Sequence, residues 1–363
     1  MITDPGDDPR PVLITGGAGF IGSNIADRLA REGHEILIFD SLARAGVDRN
    51  LVWLQRRHPG RIDTLIADVR DVDSLSAAVA DCKAVFHMAA QVAVTTSLVD
   101  PRDDYSVNLD GTFNLLEALR TEAADTPLIF ASTNKVYGEL RGLTLELRDG
   151  GYGPADDFIA RNGVSEDQPL DFHTPYGCSK GAADQYVLEY ARSFGLRAAV
   201  LRMSCIYGQR QMGTEDQGWV AHFLINALEG RPITIYGDGH QVRDILDVSD
   251  AVSAYCAAWS QIDNIRGRAF NLGGGPDNAV SLRSLLDHIA SLLASDIAIE
   301  FAGWRSGDQR YFVADTLRLE ADLAIKGKVP WRDGVERLAR WLAADRGIEW
   351  GSALTSHVAA GAL

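Results

Sequence analysis

The stretch VLITGGAGFIGSNIADRLAREGHEILIFD, Val12–Asp40, decides how the rest of the chain is read. It opens on an apolar run and passes through Gly16, Gly19 and Gly22 at three-residue spacing. It continues as an amphipathic helix and closes on a second apolar run that ends in Asp40. A glycine triplet alone carries little information. One that follows a strand, opens a helix and precedes a second strand ending in a carboxylate is the context a dinucleotide requires. Gly16 suits the tight turn, Gly19 lets the backbone approach a pyrophosphate, and Gly22 lets the helix pack on the strand. Phe20 and Ile21 begin the helix whose N-terminus would face the phosphates. Asp40 stands where a carboxylate binds ribose hydroxyls and repels a 2′-phosphate, so NAD is expected rather than NADP, with Arg44 the one nearby feature against it.

Working outward, apolar runs at 11–15, 35–40, 64–68, 84–89, 128–132 and 198–203 alternate with helical patterns at 21–32, 72–80, 105–123 and 179–194. Runs without polar alternation fit strands covered on both faces. The alternation implies an α/β fold, a Rossmann-like doubly wound parallel sheet. The expected division is an NAD-binding domain over 11–203, with 240–272 partly crossing back into it. A smaller C-terminal α/β substrate lobe would span 204–239 and 273–345. Residues 1–10 and 351–363 read as flexible tails. The segment 139–172 is rich in Gly and Asp and weakly periodic, and a loop of that length is usually functional or disordered. Asp68 and Val69, after the third strand, are candidates for adenine contact, or an ordinary strand end.

Composition narrows the function classes. Hydrophobic residues make up 46% and charged residues 23% of the 363-residue chain, as in ordinary globular proteins. The formal charge of -15 speaks against a nucleic-acid partner. The four cysteines form no C-x-x-C pair and no metal-ligand cluster, so no metal is expected. The acidic N-terminus lacks an apolar signal core, and no apolar run approaches the roughly 20 residues that span a bilayer, so a cytoplasmic protein with no membrane partner is expected.

The chemistry concentrates in two stretches. ASTNKVYG, Ala131–Gly138, places Thr133, Asn134 and Lys135 at the end of the fifth strand, and TPYGCSKGAADQY places Tyr176 and Lys180 one helical turn apart on one face. A phenol is too weak an acid to serve as a base at neutral pH, and a neighbouring ammonium is expected to lower its pKa. Such a pair can exchange a proton with a sugar hydroxyl while a nicotinamide exchanges a hydride.

This combination resembles the extended branch of the short-chain dehydrogenase/reductase superfamily over about residues 11–345. The resemblance implies Thr133, Tyr176 and Lys180 as the catalytic set, with Tyr176 and Lys180 also at the cofactor. It implies that HMAAQ, with Ala89, Ala90 and Gln91, lines the cofactor cleft, and that Asn108 in NLDGT lies on the next helix beside it. His87 reads as a packed histidine without catalytic duty. Arg243 in GDGHQVRD and Arg305 and Arg310 in RSGDQR match segments that hold the diphosphate of a nucleotide-sugar in this branch, and guanidinium suits phosphate oxygens.

Sugar-nucleotide dehydratases of the branch carry Thr-Asp-Glu at the strand-five corner. Here Asn134 and Lys135 replace both carboxylates, which points away from elimination and toward epimerisation through a transient ketone. STNKVYG, LDFHTPYGCSKGAADQYVLEYAR, YGQRQMGTEDQGWV and GDGHQVRDIL together are similar to a group of CDP-sugar 2-epimerases. That likeness implies Asn134, Lys135, Ser204, Gln217 and Gly218 as further substrate contacts, and inversion at C2 of a CDP-sugar; Lys135 either touches substrate or only seats the long insertion after Gly138. Trp219 is a ring-stacking candidate or a core tryptophan. A 4-epimerase or a net oxidoreductase on a related sugar nucleotide is the alternative, and a non-catalytic NAD-binding protein the remote one. The helices at 105–123 and 179–194 match the pair that forms dimers in the branch, so a homodimer is expected, although the stripe of Ala182, Ala183, Tyr186, Val187 and Tyr190 also suits plain core packing.

Overall fold

The protein is described by a computed structural model covering residues 8–305, 307–325 and 327–349. Seven parallel strands form the central sheet. In chain order they are β1 (Val12–Thr15), β2 (Ile36–Asp40), β3 (Ile62–Ile66), β4 (Ala84–His87), β5 (Leu128–Thr133), β6 (Ala198–Met203) and β7 (Ala269–Leu272). The order across the sheet is β7-β6-β5-β4-β1-β2-β3. It reverses between β1 and β4, which opens a crevice at the carboxyl ends of the strands. β1, β4, β5 and β6 are buried or nearly so along their length, because helices cover both faces.

Six helices build those layers: α1 (Phe20–Arg31), α2 (Val47–Arg57), α3 (Val72–Ala80), α4 (Gly111–Glu122), α5 (Thr174–Phe194) and α6 (Val248–Ser260). One face buries Ile25, Leu29, Leu54, Tyr255 and Trp259 from α1, α2 and α6. The other buries Leu75, Leu115, Leu119, Val187 and Tyr190 from α3, α4 and α5. The helices α2 and α6 lie outside the helical patterns read from the sequence. The strand expected at 64–68 runs from Ile62 to Ile66, so Asp68 lies two residues beyond it. The helix expected over 105–123 is broken by a π-helical turn, Ser106–Asp110, between Pro101–Tyr105 and α4.

The chain leaves the sheet after β6 and builds the smaller lobe. Helices Trp219–Leu228, Leu282–Leu293 and Trp331–Asp345 pack on strands Ile233–Tyr236 and Val242–Asp247 around a second core that includes Phe223, Ile245, Leu285 and Leu338. Strand Val242–Asp247 then feeds α6, which packs on α1, and β7 adds the outer strand beside β6. Residues 240–272 thus run from one lobe into the other.

The segment 139–172 is ordered by packing rather than by periodicity. It contains a hairpin, Leu145–Arg148 with Gly151–Pro154, and a short helix, Asp157–Asn162. Leu140, Val164, Leu170 and Phe172 join Tyr137, Val242 and Phe312 in a third apolar cluster. Tyr152 seals it to the small lobe, with its amide on the His240 carbonyl at 2.8 Å and its hydroxyl on Asp238 at 2.6 Å. Residues 8–10, expected in a tail, are pinned: Asp8 pairs with Arg10, and Lys83 Nζ donates to the Asp8 carbonyl at 2.8 Å. The rest of the expected tails, 1–7 and 351–363, lies outside the described residues.

Candidate active site

The glycine loop joins β1 to α1. Gly16 takes φ +65°, and a Cβ there would fall 2.6 Å from the Ala89 amide nitrogen, so only glycine fits between β1 and the loop after β4. A Cβ on Gly22 would meet the Gly16 carbonyl at 2.4 Å, which explains how closely α1 packs on the turn. Gly19 differs: its Cβ would meet only the Gly16 oxygen, at 3.0 Å, so its outer side is open. It is also the N-cap of α1, without a side-chain cap and without an acidic residue in the first turn. Phe20 and Ile21 supply that first turn. Backbone donors left without side-chain acceptors at a helix N-terminus suit an anion.

Asp40 accepts from the amides of Ala18 and Leu42, each at 2.9 Å, and burial raises its pKa against those bonds. The carboxylate therefore ties the end of β2 to the glycine loop. This cradle fits a dinucleotide diphosphate. Asp68 is engaged at the rim by Arg70 and Val69 is buried against Gly111. Ala89, Ala90 and Gln91 line the turn after β4 and are half-buried.

Asn108 needs a correction. It lies in the π-helical turn, 1% exposed. Its amide donates to the Gln91 carbonyl, Asp104 and Ser179, and its oxygen accepts from the Gln91 amide at 2.9 Å. Every polar atom is committed to protein, so Asn108 positions the Gln91 loop against α5 instead of meeting the cofactor. His87 is a packed neutral imidazole. Thr112 gives its only proton to the Asn108 carbonyl, so His87 Nε2 must donate to Thr112 and Nδ1 must accept from Thr15. Burial first, then the Lys180 charge, pushes its pKa down to about 3.

Thr133 ends β5, beside Met203 of β6, and its hydroxyl accepts from the Lys135 amide at 3.2 Å. Tyr176 and Lys180 lie in the first two turns of α5, both buried. The Thr133 hydroxyl lies close enough to the Tyr176 phenol to lower its pKa, which brings the three residues from two elements to one corner. The expected lowering of the phenol pKa by Lys180 is not what the structure has. Burial pushes Tyr176 up to about 12, the Thr133 hydroxyl opposes this, and Asp104 adds to it. Burial also lowers Lys180 to about 8, and its ammonium lies 4.2 Å from the centre of the Phe130 ring. The physical reason is desolvation, which favours the neutral form of both groups.

A buried network holds this corner. Ser132 donates to Asp184 at 2.7 Å, and Arg202 grips Asp184 through two bonds of 2.9 Å. Arg202 also reaches the Tyr137 hydroxyl, which donates to Asn271 on β7. None of these partners stands near another in sequence.

A cleft of about 250 Å³ begins at Asn134, the residue after Thr133. Asn134, Lys135, Gln217, Gly218, Arg243 and Arg305 all line it. Arg243 is nearly buried, with one nitrogen on Asp308 at 2.8 Å and on the Gln309 carbonyl. Arg305 stacks on Tyr236 at 3.6 Å and pairs with Glu215 at 2.8 Å. Trp219 also lines the cleft, edge-on to Phe223. Two expected contacts fall outside it. Ser204 spends its hydroxyl on the carbonyl and carboxylate of buried Asp244. Arg310 is exposed and lies over Tyr152 and Trp304 at 5.4 and 5.2 Å. Cys205, Tyr236, Gln241 and Asp308 line the cleft and were not anticipated. Gln241 had a signal, since it stands two residues before Arg243 and strand periodicity puts both on one face.

With this geometry in view, residues 12–273 match the NAD dependent epimerase/dehydratase family. The CDP-paratose 2-epimerase of Salmonella typhi is 41% identical over 337 residues, covering 91% of this chain and 98% of that protein. The UDP-glucose 4-epimerase of Thermus thermophilus, solved with NAD, superposes with a TM-score of 0.77 at 31% identity, covering 92% of this chain and 98% of that one. The dTDP-glucose 4,6-dehydratase DesIV of Streptomyces venezuelae, solved with NAD bound, gives a TM-score of 0.80 at 26% identity, covering 93% and 98%. The glycine cradle, the Thr-Tyr-Lys corner and the full-length match agree: the chain belongs to the NAD dependent epimerase/dehydratase family.

Proposed function

We propose that the chain is an NAD-dependent epimerase that inverts C2 of a CDP-sugar of the paratose and tyvelose type. The carrying observation is the make-up of the cleft. The Thr133, Tyr176 and Lys180 corner adjoins it through Asn134 and Lys135, which follow Thr133 directly and line the cleft with Arg243 and Arg305, and those two residues stand where a dehydratase has two carboxylates. The full-length likeness to a CDP-paratose 2-epimerase supports the same reading.

NAD, when bound, supplies a hydride acceptor that returns the same hydride, so no net redox change occurs. The residues of the glycine cradle, with Asp40 at the end of β2, hold it. Thr133 orients the reacting hydroxyl by hydrogen bonding. Tyr176 takes the hydroxyl proton as the ketone forms and gives it back as the ketone is reduced. Lys180 places a positive charge next to the phenolate and favours it once a cationic ring and a sugar seal the corner from water. Arg243 and Arg305 anchor the diphosphate while the 2-keto sugar presents its other face.

The test is incubation with a panel of CDP-, UDP-, GDP- and dTDP-sugars read by NMR, followed by a C2-deuterated substrate. Deuterium should return to C2 of the product. Solvent hydrogen at C2 would sink the hydride mechanism, and inversion at C4 would sink the regiochemistry.

The working form in this reading is a cytoplasmic homodimer. Phe113 on α4 and Tyr186 and Phe194 on α5 remain 40%, 44% and 54% exposed, with Phe113 edge-on to Tyr186 at 5.8 Å. A second copy would cover this aromatic patch. A monomeric mass by light scattering overturns it. No helix among the described residues is long and apolar enough to cross a membrane.

A further inference from the structure

The chemistry of C2 makes a demand on the site that Lys135 meets. C2 is bonded to the anomeric carbon, which carries the diphosphate, whereas C4 lies across the ring. An enzyme that reacts at C2 must therefore bring the sugar-linked phosphate up to its proton-transfer corner. One that reacts at C4 must hold that phosphate a ring's breadth away. A cation for the phosphate belongs beside Thr133 in the first case and is out of place there in the second.

Lys135 is two residues from Thr133 and bonded to it through its amide at 3.2 Å. It stands in the single turn of 3-10 helix, Asn134–Tyr137, that follows β5. Its side chain is half-buried and lines the cleft beside Arg243. The two cations converge on one segment: Lys135 Nζ donates to Gln309 Oε1 at 3.3 Å, and Arg243 donates to the Gln309 carbonyl and to Asp308. Asp308 pairs with Arg243, and Lys135 forms no ion pair with a carboxylate among the described residues. Two like charges crowded at one site, with a single carboxylate between them, make a site that an anion completes.

We propose that Lys135 binds the phosphate next to the anomeric carbon, forms a two-cation clamp with Arg243, and so selects C2 for reaction at Thr133 and Tyr176. The proposal rests on the nucleotide-sugar reading above and adds the residue that sets its regiochemistry. The charge state agrees with the geometry. Burial, and then Arg243, lower the Lys135 pKa to about 8, with Asp308 and Cys205 acting the other way. A phosphate between Lys135 and Arg243 restores the ammonium, so binding takes up a proton.

The experiment is calorimetric titration of NAD-loaded protein with CDP, UDP, CMP and UMP, on wild type, Lys135→Met and Lys135→Arg. Lys135→Met should weaken the preferred diphosphate roughly 10- to 100-fold and leave the monophosphate unchanged, since only the diphosphate reaches the clamp. Lys135→Arg should keep diphosphate affinity within about threefold, because a cation remains. Repeated at pH 8 in two buffers of different ionisation enthalpy, wild type should take up about half a proton more than Lys135→Arg. Equal diphosphate affinity in Lys135→Met, or an equal loss of the monophosphate, overturns the clamp and leaves the functional reading standing. If wild type binds neither diphosphate, that reading falls and takes the clamp with it. Product NMR showing inversion at C4 overturns the regiochemical claim even where diphosphate binding depends on Lys135.

Discussion

The corner of Thr133, Tyr176 and Lys180 and the arginine-lined cleft beside it are built on opposite electrostatic plans. At the proton-transfer end, Tyr176 and Lys180 are desolvated and leaned on weak partners, a hydroxyl and an aromatic face. At the phosphate end, Arg243 and Arg305 are already paired with Asp308 and Glu215. The first plan favours the neutral form of both groups, moving the phenol further from ionisation and the ammonium closer to losing its proton. The second holds guanidiniums in place without a ligand, because an unpaired buried arginine is costly. A ligand at the first end meets a phenol and an amine that burial holds toward their neutral forms. At the second it must share cations with resident carboxylates.

The sharpest break in that comparison is Tyr176→Phe. Removing the hydroxyl deletes the group proposed to carry the proton, so turnover should fall roughly 10²- to 10⁴-fold, with NAD binding retained by fluorescence titration. Undiminished turnover would remove Tyr176 from the chemistry. At the other end, Arg243→Met should act mainly on binding. Loss of a charge-assisted contact predicts a rise in KM of roughly 10- to 100-fold with a smaller change in kcat. A fall in kcat with KM unchanged would move Arg243 from the anchor to the reacting centre.

The smallest effect sharpens the first plan by pH. His87 is held neutral with its pKa near 3, while the unfolded chain protonates it near its ordinary value of 6.5. Between those values the unfolded state binds the extra proton, so stability rises with pH from about 3 to 6.5 and is lost on acidification through that window. His87→Gln should flatten this limb in denaturant melts at pH 4, 5 and 7. An unchanged slope would mean that the imidazole is not held neutral beside Lys180.

How much of this was legible in the sequence depends on the range of the interaction. Gly16, Gly19, Gly22 and Asp40 could be read because turn, helix and strand follow one another within thirty residues. Tyr176 and Lys180 could be read because an i, i+4 pair shares a helix face whatever the rest of the chain does. Ser204 and Arg310 were misplaced for a different reason. Ser204 stands next to Cys205, which lines the cleft, but turns its hydroxyl to Asp244, and Arg310 lies two residues past the lining residue Asp308, over Tyr152 and Trp304. Asn108 was placed in the right neighbourhood with the wrong task, since only the packed structure shows that Gln91, Asp104 and Ser179 consume its amide. The 139–172 segment offered no periodicity, and its order comes from apolar contacts with Val242 and Phe312, far along the chain.

By itself the sequence determined the sheet, the glycine turn between β1 and α1, the shared helix face of Tyr176 and Lys180 and the absence of carboxylates at the strand-five corner. These follow from local periodicity, glycine sterics and residue identity. The tertiary structure alone decided that burial, not Lys180, governs the Tyr176 proton, that Asp184 and Arg202 lock β5 to β6, and that Lys135 and Arg243 meet on Asp308 and Gln309. Desolvation and charge pairing depend on which surfaces the fold brings together, and no spacing along one strand or helix encodes that.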